Sequence, residues 1–346
     1  MLQASFQKLT LNFKQPSGTS RGVLTQKDSW LISIWDTLNP LITGIGEASI
    51  IKTLSPDWND NFELKVAEVC QNISHFTTPK GLYELRKYPS IHFAIETALL
   101  DLKHEGKGII YPSDFTSKQA PIPINGLIWM GNKAFMQKQI NAKIEAGFNC
   151  IKLKIGAIAP IDVGFDTELQ ILKDIRSVYS VDVIELRVDA NGAFSPNEAL
   201  QKLDQLSQFK LHSIEQPIKA GQEKKMEHLC RNTPLPIALD EELIGKYNLA
   251  DKRELLNKIT PQYIILKPSL IGGFKGTDEW ISIAESKQID WWITSALESN
   301  IGLNAIAQYT FTKQNPMPQG LGTGGLFTNN IESNLMVENG KLILRN

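Results

Sequence analysis

Six charged residues stand at or near the ends of five short apolar runs: Lys152 and Lys154 in CIKLKIG, Asp189 in ELRVDANG, Glu215 in SIEQP, Asp240 in PIALDEE and Lys267 in YIILKPS. The steps from Asp189 to Glu215, Asp240 and Lys267 are 26, 25 and 27 residues. Each step holds one strand, one helix and two loops. The spacing therefore predicts three acids and flanking lysines at the C-terminal ends of different parallel strands, the rim where (β/α) barrels build their sites. Three carboxylates on neighbouring strand ends repel one another unless a counter-charge intervenes. A hard divalent cation with oxygen ligands supplies one, and Mg²⁺ suits such a site, with Mn²⁺ a tolerable substitute. The competing reading is that the acids are surface groups or ion-pair partners.

Strand periodicity sharpens the reading. In ELRVDAN, Arg187, Asp189 and Asn191 share one face, and Leu186, Val188 and Ala190 the other. Lys152 and Lys154 also share a face. Two buried lysines cannot both stay charged cheaply, so one should titrate low and serve as a general base. Lys154 is placed to take a proton α to a substrate carboxylate, with Lys267 facing it across the centre.

These residues need a scaffold. From about residue 120 apolar runs and helical patterns alternate, with strands expected at 121–129, 149–155, 185–191, 213–217, 236–241, 263–268, 291–297 and 318–323. Alternating β and α argues for a parallel sheet, and eight strands argue for closure into a barrel over an open doubly wound sheet. The helix after Ser195 has an N-cap and Pro196 at its first position. Earlier, ASFQKLTLNFKQP, SWLISIW and LITGIGEASI predict a three-stranded antiparallel meander. Residues 16–22 form a small-residue connection, read either as an exposed hairpin loop or as a lid carrying Arg21. Residues 60–106 turn helical, with Ser90 as an expected N-cap. The expected domains are 1–115 (α+β cap), 116–325 (barrel) and 326–346, a hairpin turning at Asn339-Gly340 and returning to the cap.

Composition sets the bounds. The chain has 346 residues, 42% of them apolar, and a net charge of -1. That balance gives no electrostatic reason to expect nucleic acid or an acidic membrane surface. The three cysteines form no CxxC, and no run approaches the roughly 18 apolar residues of a membrane span. A cytoplasmic protein acting on a small carboxylate is the expectation; oligomeric state is not written in the sequence. Gly320-Leu-Gly322-Thr-Gly324-Gly325 matches GxGxxG in letters but precedes no helix and strand, so it is not read as a dinucleotide site. The five histidines show no metal-ligand spacing, and His92 and His212 are read as structural.

The motifs GIGEASI, IHFAIETALLDL, KLK, RVDANG, EQP, LDEE, LKPSLIGG and SALES together resemble the enolase superfamily, in its muconate-lactonising subgroup. INGLIWMG, SALESNIG and PQGLGTGGLFTNNI make the chain most similar to the o-succinylbenzoate synthases of menaquinone biosynthesis. The resemblance implies an α/β fold, a modified (β/α)7β TIM-type barrel with an α+β capping domain. It implies Asp189, Glu215 and Asp240 as Mg²⁺ ligands and Lys154 and Lys267 as the catalytic pair. Lys152, Arg187 and Asn191 would contact substrate, Ser295, Ser299 and Asn300 its succinyl tail, and Arg21 would close over it. The alternative is a dipeptide epimerase or N-succinylamino acid racemase. Epimerases typically carry Asp-x-Asp at the eighth strand, where this chain has Gly322-Thr-Gly324. A non-catalytic scaffold would have lost a ligand or a lysine, and all are present.

Overall fold

The computed structural model describes residues 1–19, 22–156 and 164–345, with the backbone alone at Gly18 and Thr19. Three long strands open the chain: β1 (Leu2–Thr19), β2 (Gly22–Asp36) and β3 (Asn39–Ser49), an antiparallel meander in that order. Their alternating side chains bury one face, with Trp30, Ile32 and Ile34 in the core. β1 runs on past the expected loop start at Pro16, because a register shift between Asn12 and Ser17 lets the pairing resume. Two helices pack on the sheet, α1 (Phe62–Gln71) and α2 (Pro89–Lys103). The GIGEASI motif has a steric reason. A Cβ on Gly44 would lie 2.0 Å from Ala98 O, and one on Gly46 1.9 Å from Ala94 O, so the α2 backbone rests directly on β3.

Ser90 is not the N-cap of α2. The helix starts at Pro89, and Ser90 Oγ instead donates to the buried Asp57 carboxylate at 2.5 Å.

A short strand β4 (Ile122–Pro123) leads into the barrel strands β5 (Gly126–Ile128), β6 (Cys150–Lys154), β7 (Glu185–Asp189), β8 (Ser213–Glu215), β9 (Ile237–Leu239), β10 (Tyr263–Leu266) and β11 (Asp290–Ile293). They form one parallel sheet in sequence order. Residues 319–320 close it. Gln319 bridges Ile124 and Gly320 bridges Thr294, both parallel, which fills the eighth position. Helices α3 (Lys133–Glu145), α4 (Phe165–Val178), α5 (Pro196–Ser207), α6 (Glu223–Asn232), α7 (Leu249–Ile259), α8 (Gly273–Glu285) and α9 (Asn300–Thr312) alternate with the strands. α5 begins with the expected Ser195 N-cap and Pro196, and Glu198 completes a capping box.

The C-terminal segment divides. Phe327 bridges Phe13 and Thr328 N donates to Asn12 O, so this part does reach the cap. The hairpin β12 (Leu335–Glu338) and β13 (Lys341–Leu344) does not, contrary to expectation. β13 pairs with β4, and its Asn339-Gly340 turn packs on the Gly147 turn, where a Cβ on Gly340 would meet Gly147 O at 2.7 Å. The free edge of β4 offers ladder hydrogen bonds there. Among the described residues no helix is long and apolar enough to cross a membrane.

Candidate active site

Parallel pairing brings the chemistry into one row. Lys154 pairs with Asp189, and Asp189 with Glu215. Asp240 follows β9, and Lys267 follows β10. All three carboxylates are buried, at 0 to 2% exposure. Lys152 Nζ donates to Asp189 Oδ2 (3.2 Å) and Glu215 Oε2 (2.6 Å). Lys154 Nζ donates to Asp189 Oδ2 (2.5 Å) and Asn191 Oδ1 (2.7 Å), and Lys267 Nζ donates to Asp240 Oδ2. Three lysine amino groups thus interleave with three carboxyl groups.

The electrostatics separate the lysines. Burial lowers the Lys154 pKa, and the nearby Lys152 adds to this against the pull of Asp189. Burial acts on Lys152 and Lys267 too, but Glu215 with Asp189, and Asp240 with Glu215, outweigh it and hold both above the usual lysine value. Asp189 is buried, yet Lys154 and Lys152 keep it well below the ordinary carboxylate range. Burial and the neighbouring Asp189 push Glu215 up to about 8.

That crowding tests whether a divalent cation suits the site. The donors are carboxylate oxygens on adjacent strand ends, the hard set that Mg²⁺-like ions take, and their mutual repulsion is what such an ion relieves. Among the described residues the carboxylates do not converge on one point as they stand, since the lysine ammonium groups reach between them. The residues fit the ion in donor type and in their placement on successive strand ends.

Above this row lies a cavity of about 180 Å³ between cap and barrel. Its floor is Lys152, Lys154, Asn191 and Lys267; the carboxylates sit beneath them. Leu24, Ile51 and Leu54 of the cap form an apolar wall. Thr294, Ser295, Gly320, Gly322 and Thr323 form the neutral end, where Ser295 and Thr323 hydroxyls meet at 2.6 Å. Three residues near the rim hold positive φ without being glycine: Asn191 (44°), Gln216 (39°) and Leu297 (63°). Backbone held this way clusters at functional sites.

Of the expected contacts, Lys152, Asn191 and Ser295 line the cavity, whereas Arg187, Ser299 and Asn300 do not. Arg187 lies one pleat deeper, stacked on Trp292 (4.3 Å) and bonded to Glu185 (2.7 Å) and Pro318 O (2.9 Å). It fills the barrel interior. Ser299 caps α9, and its N–H and hydroxyl both go to Glu47 of the cap (2.8 and 2.5 Å). Asn300 bonds Asn330 and Ile331. Arg21 lies outside the described residues. Sequence reasoning missed Asn125, Trp129, Leu297 and Thr323 as lining residues. All four lie in motifs that carry the resemblance, Asn125 and Trp129 in INGLIWMG, Leu297 in SALESNIG and Thr323 in PQGLGTGGLFTNNI, but none was singled out within them.

The family model described as Enolase C-terminal domain-like matches residues 136–346. The chain belongs to the enolase superfamily. Its members use a divalent metal. Within the superfamily the chain is 47% identical to the o-succinylbenzoate synthase of Desulfotalea psychrophila, over 99% of this chain and 98% of that protein. The crystal structure of MenC from the same organism superposes with a TM-score of 0.86 at 43% identity, covering 99% of both chains. The dipeptide epimerase of Enterococcus faecalis, solved with Mg and L-Leu-L-Tyr, matches with a TM-score of 0.83 at 20% identity, over 99% of this chain and 96% of that one. That level of identity speaks for the shared fold alone.

Proposed function

We propose that this protein is an o-succinylbenzoate synthase, a carbon–oxygen lyase that removes water from 2-succinyl-6-hydroxy-2,4-cyclohexadiene-1-carboxylate to give 2-succinylbenzoate. The 47% full-length identity to the Desulfotalea psychrophila enzyme carries the assignment. The site supports it: a lysine with a lowered pKa faces a second lysine across three buried carboxylates.

Asp189, Glu215 and Asp240 would hold the divalent cation, read as Mg²⁺. Once bound, that ion supplies positive charge to the substrate carboxylate as the adjacent carbon loses its proton.

Lys154, as the neutral amine, takes the ring proton α to the carboxylate, and the C–H electron pair moves into the carboxylate. Burial favours that neutral form. Lys267, kept cationic by Asp240 and Glu215, offsets the negative charge that builds up. Lys152, bridging Asp189 and Glu215, holds the row in register and adds a further positive charge. The electron pair then returns, the ring C–O bond breaks on the same face, and Lys154 gives its proton to the leaving hydroxyl. The products are water and an aromatic ring, with Lys154 restored. Ser295 and Thr323 at the neutral end hydrogen-bond the succinyl tail. On this reading the protein serves menaquinone biosynthesis and works in the cytoplasm.

The test is loss of diene absorbance with and without EDTA. Fast, metal-dependent aromatisation supports the reading. No turnover by folded, Mg²⁺-supplied protein overturns it, and deuterium exchange into N-succinylamino acids and dipeptides would then identify a racemase.

A further inference from the structure

A second cavity, of about 480 Å³, opens at another junction of cap and barrel. One side is the cap, where a short helix (Pro79–Glu84) and the turn after it precede α2. The other is the start of α7, the turn at Ile271–Gly272 and the first turn of α8. None of its lining residues lines the site described above.

Its polar groups fall into two sets. Glu96, Lys252 and Glu279 are committed. Glu96 accepts the Phe274 and Lys275 N–H groups at the start of α8 (2.6 and 3.2 Å). Lys252 donates to Gly276 O (2.9 Å) and Glu279 (2.8 Å). Lys275 and His92 are not, and Arg86 makes one backbone hydrogen bond, Nη1 to Tyr83 O (3.2 Å), that leaves its charge unpaired. Among the described residues neither Arg86 nor Lys275 has an ion-pair partner; Arg86 lies over the Tyr83 ring at 4.1 Å. His92 is only 8% exposed, lines the cavity, and its Nδ1 has no hydrogen-bond partner. A buried ring nitrogen left unpaired has given up its water without a replacement partner. Fold packing alone would place an apolar side chain at this position of α2. Burial, with Lys275 and Lys252 nearby, lowers the His92 pKa to about 4, so near neutral pH the ring is an uncharged donor and acceptor.

Among the described residues, two cations without an ion-pair partner, one imidazole with an unpaired Nδ1 and an apolar wall of Leu82, Leu249 and Ile271 define what fits. We propose that this cavity is a second binding site, separate from the catalytic one, for a small organic anion: a carboxylate on an apolar body. The carboxylate lies between Arg86 and Lys275, its body against the leucine and isoleucine side chains, and His92 takes up a hydrogen bond. A ligand held there touches both the cap and the first turn of α8, and so favours the joined arrangement of the two domains.

The test uses full-length, Mg²⁺-supplied protein and benzoate as the probe, with benzamide as the uncharged isostere. Equilibrium dialysis should show one more benzoate bound per chain in the wild type than in the Arg86→Ala/Lys275→Ala variant. Both side chains are at least partly exposed and should leave thermal stability unchanged. Benzamide should bind this site at least tenfold more weakly. In the wild type alone, benzoate should shift the His92 ring ¹⁵N resonances. Equal uptake by the two proteins, benzamide binding as well as benzoate, or unmoved His92 resonances at saturating benzoate would each overturn the proposal. Catalysis is not read in any arm, so the outcome is independent of the assigned reaction.

Discussion

Replacing Glu47 with Gln asks whether one cap carboxylate joins the two domains. Its oxygens accept four hydrogen bonds: Oε1 from Ser29 Oγ (2.6 Å) and Ser299 N (2.8 Å), Oε2 from Ser299 Oγ (2.5 Å) and Gly302 N (3.0 Å). An amide has one oxygen. Whichever way the Gln lies, its NH₂ faces one hydroxyl, which can turn and accept, and one backbone N–H, which cannot. The stranded buried N–H costs roughly 1–3 kcal/mol, and the remaining bonds lose their charge assistance, about 1 kcal/mol more. Lys27, also buried and 4.0 Å from Glu47, loses a counter-charge. The expected loss is about 4 kcal/mol, read by urea unfolding with an unchanged slope. Burial already lowers the Lys27 pKa against the pull of Glu47 and Glu298. Between that lowered value and 10.5 the unfolded chain binds more protons, so stability rises with pH there. In Glu47→Gln the window should extend to lower pH. The companion Ser299→Ala should lose about 1–2 kcal/mol with KM unchanged. A Glu47→Gln protein within 1 kcal/mol of wild type, or a Ser299→Ala protein with tenfold higher KM and native stability, would refute the reasoning and return Ser299 to the substrate.

Lys154→Ala and Lys267→Ala should each reduce kcat by at least ~10³-fold, with the fold and metal binding kept, as steady-state kinetics and calorimetry would show. Arg187→Met should cost about 1–2 kcal/mol in urea unfolding, by removing the partner of the half-buried Glu185 and the stacking over Trp292, and leave KM near native. Burial lifts Asp57 from 3.8 to about 6 while Ser90 holds its Oδ2. The folded chain therefore binds more protons between those values, and stability should fall by about 3 kcal/mol as pH rises through them. Asp57→Asn should remove that part of the slope in paired urea titrations at pH 4 and 7.

Period and spacing made the barrel and its charged row legible. Alternation in ELRVDAN put Asp189 and Asn191 inward, and the 26-, 25- and 27-residue steps put the acids and Lys267 on successive strand ends. The same alternation misled for Arg187. It gives the face but not the depth, and a residue two earlier on the strand lies about 6–7 Å lower, in the layer of Trp292. Ser299 and Asn300 were misread because their partners are distant in sequence. Glu47 lies 252 residues from Ser299, and nothing local shows that the cap claims the first turn of α9. For the same reason the hairpin's destination depended on the free edge of β4. The roles of Gly44 and Gly46 needed the α2 backbone in place before the motif had a steric meaning.

The neutral end of the cavity is where the reaction class becomes a matter of charge. Gly320, Gly322 and Thr323 present no acid to a substrate tail, and the cap opposite is apolar. A succinyl carboxylate is tolerated there; an ammonium finds no partner. Gly322→Asp turns this into an experiment, because a Cβ at Gly322 meets nothing closer than Asn125 O and Ile124 Cδ1 at 3.5 Å, so the side chain has room. Two like charges about 6 Å apart at an effective dielectric constant near 20 repel by about 2–3 kcal/mol, a loss of roughly 30- to 100-fold in kcat/KM for the succinyl substrate. Gly322→Asn controls for size and should lose less than about fivefold. The difference should shrink in high salt, and slow deuterium exchange into an L,L-dipeptide should appear only in the Asp variant. If Asp and Asn variants lose activity equally, the tail does not lie against the eighth strand, and selectivity must then come from the cap wall of Leu24, Ile51 and Leu54.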